Sequence, residues 1–464
     1  MSEDRFLGVF MNPICALYEG VEQVFDNLER AGVRGIVTHP TIARPAPNGK
    51  GGRFPPLHED GYNRVLGRAL WDKRELFVQG YRAFEPNMAL YEQTSYKPRG
   101  KAAPADLDSA LPAKILAEAK KRGMEAHIHA SPYGVPGLRR EDKAVRVDGA
   151  LPEEPMVSAP ACLNSPDATA YGLAVLEDTV THYPDADGLF MDWVEWGAYR
   201  IEGYFTCFCE HCANKAKAQG IDWNAVTTDV RRLWDWLHAL TPRELERSRR
   251  VARNASELVE LLAAYPGWLT FLKFKADTVA SFYRETRALL DRLGKKDMQL
   301  SARGWPPPWN RASGMDYRQV SDVCDTVTPK LFTFDYCAMP RWWGQLLQKW
   351  NPDLSESGLL DAMVDWMDLP DDIERRSFAH YNIPAPGVPH PARLECYRTR
   401  LDEVAAQVEG RARLRPFAHA YLPEPQWKQM VALIRDSRCD GMWVQMYGYL
   451  SAAKLDVLRR VWRC

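Results

Sequence analysis

The chain has 464 residues, 46% of them hydrophobic and 26% charged, with 60 Lys and Arg against 61 Asp and Glu. That is an ordinary globular balance, able to bury a large core, and a net charge of −1 leaves no global field for nucleic acid or an anionic membrane. The start, MSEDRFLGVFMNP, places acids before a short apolar run, unlike a secretory signal, and no stretch reaches the ~18 apolar residues of a membrane span. A cytoplasmic protein without nucleic-acid or membrane partners is expected. In that compartment the ten cysteines are read as thiols rather than as a disulfide framework.

Taken in chain order, short apolar runs alternate with helical patterns. Phe6–Met11 is strand one, followed by an amphipathic helix over 20–32 with Gly32 as its stop. Val33–His39 is strand two. A helix over 108–122, ended by Gly123, leads to strand three, Met124–His129; a helix over 167–182 leads to strand four, Asp187–Asp192. A long helical region from about 224 to 293 precedes strand five, Met298–Arg303, and a short helix over 316–322 precedes strand six, Thr326–Phe334. Helix 392–408, strand seven (Leu414–Tyr421), helix 424–436, strand eight (Gly441–Tyr447) and helix 451–462 complete the chain.

Eight such units point to a closed (β/α)8 TIM barrel rather than an open doubly wound sheet. The excursions 40–107, 130–166, 193–266 and 335–391 all leave the carboxyl ends of strands. They are read as long loops walling a cleft on one barrel domain spanning 1–464, with 224–266 as a helical insertion. Homo-oligomerisation is left open.

Strand four carries the sharpest chemical signal, Asp-Gly-Leu-Phe-Met-Asp-Trp-Val-Glu-Trp over 187–196. Asp192 ends the strand and Glu195 lies in the loop; a carboxylate there costs desolvation and needs a partner or a task. The bland alternative is an Asp that caps its loop or pairs with Arg303 across the barrel. Strand six ends near Asp335, and Lys330 within it is placed as a charge partner pointing into the barrel. Two carboxylates facing a sugar are the minimal apparatus of glycoside hydrolysis, so Asp192 is read as nucleophile and Asp335 as acid/base, with Glu195 competing for either role. A solvated loop acid is the alternative for Asp335.

The stretch D-G-L-F-M-D-W, followed by C-F-C-E-H-C and preceded by A-C-L-N-S-P, resembles bacterial glycoside-hydrolase families of the α-galactosidase-related barrel superfamily. The resemblance is specific over about 160–215 and architectural elsewhere. It implies an Asp nucleophile on strand four and an Asp acid/base on strand six, which match Asp192 and Asp335. Zinc-cluster β-galactosidases share the cysteine pattern, but they use Asn-Glu on strand four and a Glu on strand seven. Here strand four lacks Asn-Glu and strand seven ends Ala-His-Ala-Tyr421.

Cys162 with Cys207, Cys209 and Cys212 is read as a structural zinc site stapling two loops, against the alternatives of reduced thiols or His211 as one ligand; no cofactor is expected in catalysis. His127 and His129 alternate on strand three and face one side. His129 and His39 are candidate contacts to substrate hydroxyls, and His419 belongs to the same ring. Strand-end histidines also allow a metal-dependent hydrolase or lyase, and a non-catalytic sugar-binding barrel is a third reading. Trp193, Trp196, Trp305, Trp309, Trp342 and Trp343 fall in loops leaving strands four to six, where indoles stack on sugar faces. Arg303 and Arg341 are candidates for hydroxyl or carboxylate binding. The expected substrate is a small glycoside or short oligosaccharide.

Overall fold

The computed structural model describes residues 5–47, 50–54, 65–98, 100–152, 160–251, 254–374 and 376–462. Its centre is a ring of eight parallel strands: β1 (Phe6–Met11), β2 (Gly35–Thr38), β3 (Glu125–Ala130), β4 (Gly188–Met191), β5 (Gln299–Gly304), β6 (Thr326–Leu331), β7 (Phe417–His419) and β8 (Gly441–Gln445). Each pairs with the next in chain order, and β8 pairs with β1 from Phe6↔Gly441 to Phe10↔Gln445, so the sheet has no edge. The (β/α)8 barrel expected from the sequence is therefore the fold. Its strands read as nearly continuous apolar runs because helices cover the face that the barrel interior does not.

Large side chains fill the interior wherever a facing glycine leaves room. Trp443 of β8 lies where a Cβ at Gly8 would stand 2.1 Å from its Cε3, and His127 lies where a Cβ at Gly188 would stand 2.2 Å from its Nδ1. At the floor, the Arg415 guanidinium sits 3.5 Å from the Phe6 ring centroid and bonds Glu125 at 2.9 Å. Above it, Phe10, Phe190 and Phe417 form an aromatic layer, with centroids 5.7–6.3 Å apart. A polar layer tops that one.

Because a rigid indole occupies the missing Cβ position, Gly8→Ala is expected to destabilise the chain by about 3 kcal/mol or more. Gly123→Ala, whose Cβ would meet nothing within 4 Å, should lose only the ~1–2 kcal/mol of a left-handed backbone at φ 69°. Urea denaturation of the two variants checks the order.

Element boundaries depart from the sequence reading in three places. Strand six stops at Leu331, and Thr333, Phe334 and Asp335 open an 18-residue helix, Thr333–Trp350. The helical region beginning near 224 divides into Trp223–Leu237, Pro242–Val251, Ala255–Ala264 and Pro266–Arg292. The excursions also hold regular structure: an antiparallel three-stranded sheet (Thr41–Pro45, Leu76–Arg82 and Gly52–Phe54) after β2, and helix Glu356–Met367 after Thr333–Trp350. Among the described residues no helix is long and apolar enough to cross a membrane.

Candidate functional site

The polar layer at the carboxyl ends of the strands is organised around Asp192. The backbone N–H of Asp192 still bonds Ala130 O at 3.0 Å, so its position is fixed by the β3–β4 ladder. Trp193 then takes a left-handed φ of 62° and donates its N–H to Asp192 Oδ1 at 2.9 Å. Arg303, one residue before the end of β5, reaches Asp192 Oδ2 at 2.7 Å, and Lys330 of β6 reaches Oδ1 at 3.1 Å. Burial would raise the Asp192 pKa, but the Arg303 and Lys330 charges overrule it and hold the carboxyl at about 2. The pairing with Arg303 considered from sequence is present, as is the charge partnership with Lys330.

Glu195 shares the same lysine, with Lys330 Nζ 2.8 Å from its Oε1. Its Oε2 accepts from Trp305 N (3.1 Å) and Ser313 Oγ (2.9 Å), and the residue is 0% exposed. Burial raises its pKa against these donors and the Lys330 charge. Both its oxygens are occupied inside the protein, so Glu195 holds Lys330 in position more readily than it reaches a ligand. The Lys330 ammonium also lies 4.2 Å from the Trp193 ring centroid.

His39, just past β2, and His129 of β3 meet with ring centroids 4.4 Å apart, both beside Phe10. Burial, then the positive charge of Arg303, lowers the His39 pKa to about 4; burial and the adjacent His39 push His129 well below its usual value. Both are neutral at pH 7, each with one ring nitrogen to donate and one to accept. His127 does face the interior as alternation requires, but one layer lower, where its Nε2 lies 3.1 Å from Glu125 Oε2. The His-x-His pair is thus split between floor and mouth. Asn12 at the end of strand one caps helix Pro13–Glu19 through Ile14 N.

Asp335 lies in the first turn of helix Thr333–Trp350, where a carboxylate suits the helix dipole, and accepts from Tyr199 Oη at 2.7 Å. It is fully enclosed and is not a solvated loop acid. The tryptophans are mostly turned inward. Trp196, Trp305 and Trp309 are at most 1% exposed and line no open surface, which corrects the expectation of a shared stacking face. Trp305 packs on Tyr199 at 4.3 Å, and Trp343 donates Nε1 to Tyr199 O at 2.9 Å. The Trp342 ring lies 4.8 Å from the Arg200 guanidinium carbon, and Trp193 is the half-buried member of the set. Arg341 bonds the Asn382 amide oxygen.

Three contributors escaped the sequence reading. Tyr199 bonds Asp335, Gln445 at the end of β8 lies 3.3 Å from Arg303, and Tyr449 packs on His419 at 5.0 Å. Gln445 carried a signal, as the polar residue closing an apolar strand; Tyr199 and Tyr449 carried none.

Away from the barrel mouth, the sulfurs of Cys162, Cys207, Cys209 and Cys212 all lie within 4.8 Å of one another, buried. Among the described residues no other group of His, Cys, Asp or Glu gathers this way, and His211 instead faces Asp142 Oδ1 at 3.2 Å. Four convergent thiols fit a tetrahedral soft divalent ion and leave no position open for water, as in a structural rather than a catalytic site.

No protein-family model matches the chain, and no curated protein matches it significantly. Among solved structures, the PgaB (BpsB) glycoside hydrolase domain from Bordetella bronchiseptica aligns with a TM-score of 0.50 at 12% identity, over 99% of this chain and 98% of that one. The β-galactosidase of the psychrophilic Marinomonas ef1 aligns at 0.49 and 10%, over 99% of this chain and 59% of that one. The β-amylase catalytic domain from Paenibacillus polymyxa aligns at 0.46 and 9%, over 99% and 98%. At 12% identity the likeness to the first of these shows the barrel fold and nothing finer.

Proposed function

We propose that the chain is a glycoside hydrolase acting on a small glycoside or short oligosaccharide at the mouth of its barrel. The observation that carries this reading is Asp192, a carboxylate kept ionised at the end of β4 beside a cationic pair and two neutral histidines. Such a group suits an oxocarbenium-like transition state, because it offers fixed negative charge where positive charge develops at C1. Barrels host many chemistries, so the argument rests on these residues; the likeness to a glycoside hydrolase domain agrees with it.

In this reading Asp192 attacks or stabilises the anomeric carbon, and Asp335, oriented by Tyr199 on one oxygen and protonated on the other when substrate is bound, supplies the proton to the leaving oxygen. This is the two-aspartate scheme of the α-galactosidase-related superfamily. Arg303 Nε is a buried donor with no protein acceptor, suited to a sugar hydroxyl, and His39 and His129 contact further hydroxyls. In a sugar complex, a separation of ~5–5.5 Å between the Asp192 and Asp335 carboxyls gives retention, and ~6.5–9.5 Å gives inversion. Trp193, with Lys330 against its ring, borders the same mouth. The split between His127 and His129 takes support from the metal-hydrolase alternative.

The test is turnover of a panel of aryl glycosides and short oligosaccharides by the wild-type chain. Saturable binding of sugars without turnover of any of them favours a binding protein instead.

The lowered histidine pKa values set a pH dependence of stability. Where the folded pKa lies below the unfolded one, the unfolded chain takes up protons first as pH falls. Stability is therefore full above about 6.5 and declines as pH falls toward about 4, the folded value of His39. Urea midpoints at pH 7 and pH 4.5 should differ less for His39→Gln than for wild type; an unchanged difference contradicts the assignment.

A further inference from the structure

We propose that two copies of this chain pair through helix Ala255–Ala264 in a two-fold homodimer, with Glu260 of each copy set against Arg232 of the other. The inference is independent of the glycosidase reading.

The helix reads Ala-Ser-Glu-Leu-Val-Glu-Leu-Leu-Ala-Ala, with polar side chains only at Ser256, Glu257 and Glu260. A surface helix ordinarily keeps its outer face polar, and one so apolar belongs against a cover. Yet none of its residues is buried. Of the six large apolar side chains exposed among the described residues, four fall close together in the chain: Leu258, Val259, Leu261 and Leu269. Val259 is the most open of them, at 62%. Leu258 and Leu261 also edge an apolar groove of about 250 Å³, shared with Leu233 and Trp236 of helix Trp223–Leu237 and with Trp268 of helix Pro266–Arg292. Apolar surface gathered in this way, on a helix too short to be stable by itself, marks an interaction site.

The charges around it select the occupant. Glu260 stands exposed on the helix, with no ion-pair partner among the described residues. Arg232 lies at the far end, where its guanidinium donates to Ala264 O at 3.3 Å and sits 4.7 Å from the Tyr265 ring centroid. Its side chain is 55% exposed, and its carboxylate neighbour, Asp229 at 3.3 Å, also accepts from Gly267 N. With a two-fold axis passing near Leu262, antiparallel packing sets Glu260 of one helix beside Ala264 of the other, where Arg232 waits, and does so twice. The same surface therefore serves both copies, as a closed two-fold interface requires. An anionic membrane fits less well, because Glu257 and Glu260 lie within the apolar surface.

Sedimentation equilibrium of the full chain from about 1 to 200 µM should show a dimer with a dissociation constant in the micromolar range, as befits an interface at the small end of the size range. Val259→Glu should sediment as a monomer with far-ultraviolet circular dichroism matching wild type, since that side chain is mostly in solvent within one copy. Glu260→Arg and Arg232→Glu should each weaken the dimer by about tenfold or more, because each places like charges together twice. An equimolar mixture of these two variants should regain dimer, because the mixed pair restores both ion pairs. A chain that stays monomeric across the range, whether or not it binds anionic vesicles, overturns the proposal, as does a dimer that Val259→Glu leaves intact. A mixture no tighter than either charge variant alone overturns the pairing of Glu260 with Arg232.

Discussion

Asp192→Asn is expected to lower kcat/KM by about 10²–10⁴-fold on whichever glycoside the wild-type chain turns over, with the loss in kcat rather than KM. The amide keeps the size of the carboxyl and can still accept from Trp193 N, but it carries no charge to oppose a developing cation at C1. Lys330 keeps Glu195 as its counter-ion, while Arg303 loses its carboxylate and is left with Gln445 Oε1 at 3.3 Å and the Phe417 ring, so the variant should be less stable but folded at about 25 °C, with near-ultraviolet circular dichroism matching wild type. Full activity in this variant removes Asp192 from the reaction. Asp335→Asn should fall in the same direction, and the double variant should lose much less than the product of the two, because acid and nucleophile act as a unit.

Lys330→Met is expected to be the most damaging substitution for stability, at about 3–5 kcal/mol. One ammonium neutralises two buried carboxylates, Asp192 at 3.1 Å and Glu195 at 2.8 Å. Without it, Asp192 retains Arg303, while Glu195 keeps only the neutral donors Trp305 N and Ser313 Oγ. Methionine fits the stem, so the loss isolates charge from packing. Adding Glu195→Gln removes the stranded charge, and the double variant should recover about 1–3 kcal/mol relative to the sum of the single effects. Urea midpoints measure the cycle. Additive effects, or a Lys330→Met loss below about 1 kcal/mol, contradict the idea that this lysine binds the site together.

Much of this arrangement was legible in the residues. Each barrel strand is a short, mostly buried run, and the first four are closed by the polar residue that follows, as with Asp192 after Gly-Leu-Phe-Met. The cross-barrel partners Arg303 and Lys330 were legible because a charge on an inward strand position must meet its opposite. Depth was not. Alternation places His127 and His129 on one face but cannot distinguish floor from mouth, although two residues of strand rise by about 6.6 Å.

Strand six was read too long because Phe332-Thr333-Phe334 has strand composition; its tertiary setting makes it a helix start. The sheet after β2 was missed because its strands are short, half-exposed and interrupted by Pro and Gly. The tryptophans were read as a binding face because indoles in loops suggest exposure; long loops on a barrel need their own core, and Trp196, Trp305 and Trp309 supply it. Tyr199 and Asp335 are 136 positions apart, beyond what local pattern encodes.

The most direct test of the account is a crystal structure of the Asp192→Asn chain soaked with a glycoside that the wild-type chain cleaves. The account places the anomeric carbon about 3–3.5 Å from residue 192, with hydroxyls on Arg303 and His129 and the glycosidic oxygen facing Asp335. A sugar bound with its anomeric carbon beyond reach of residue 192, or bound away from the barrel mouth, contradicts it.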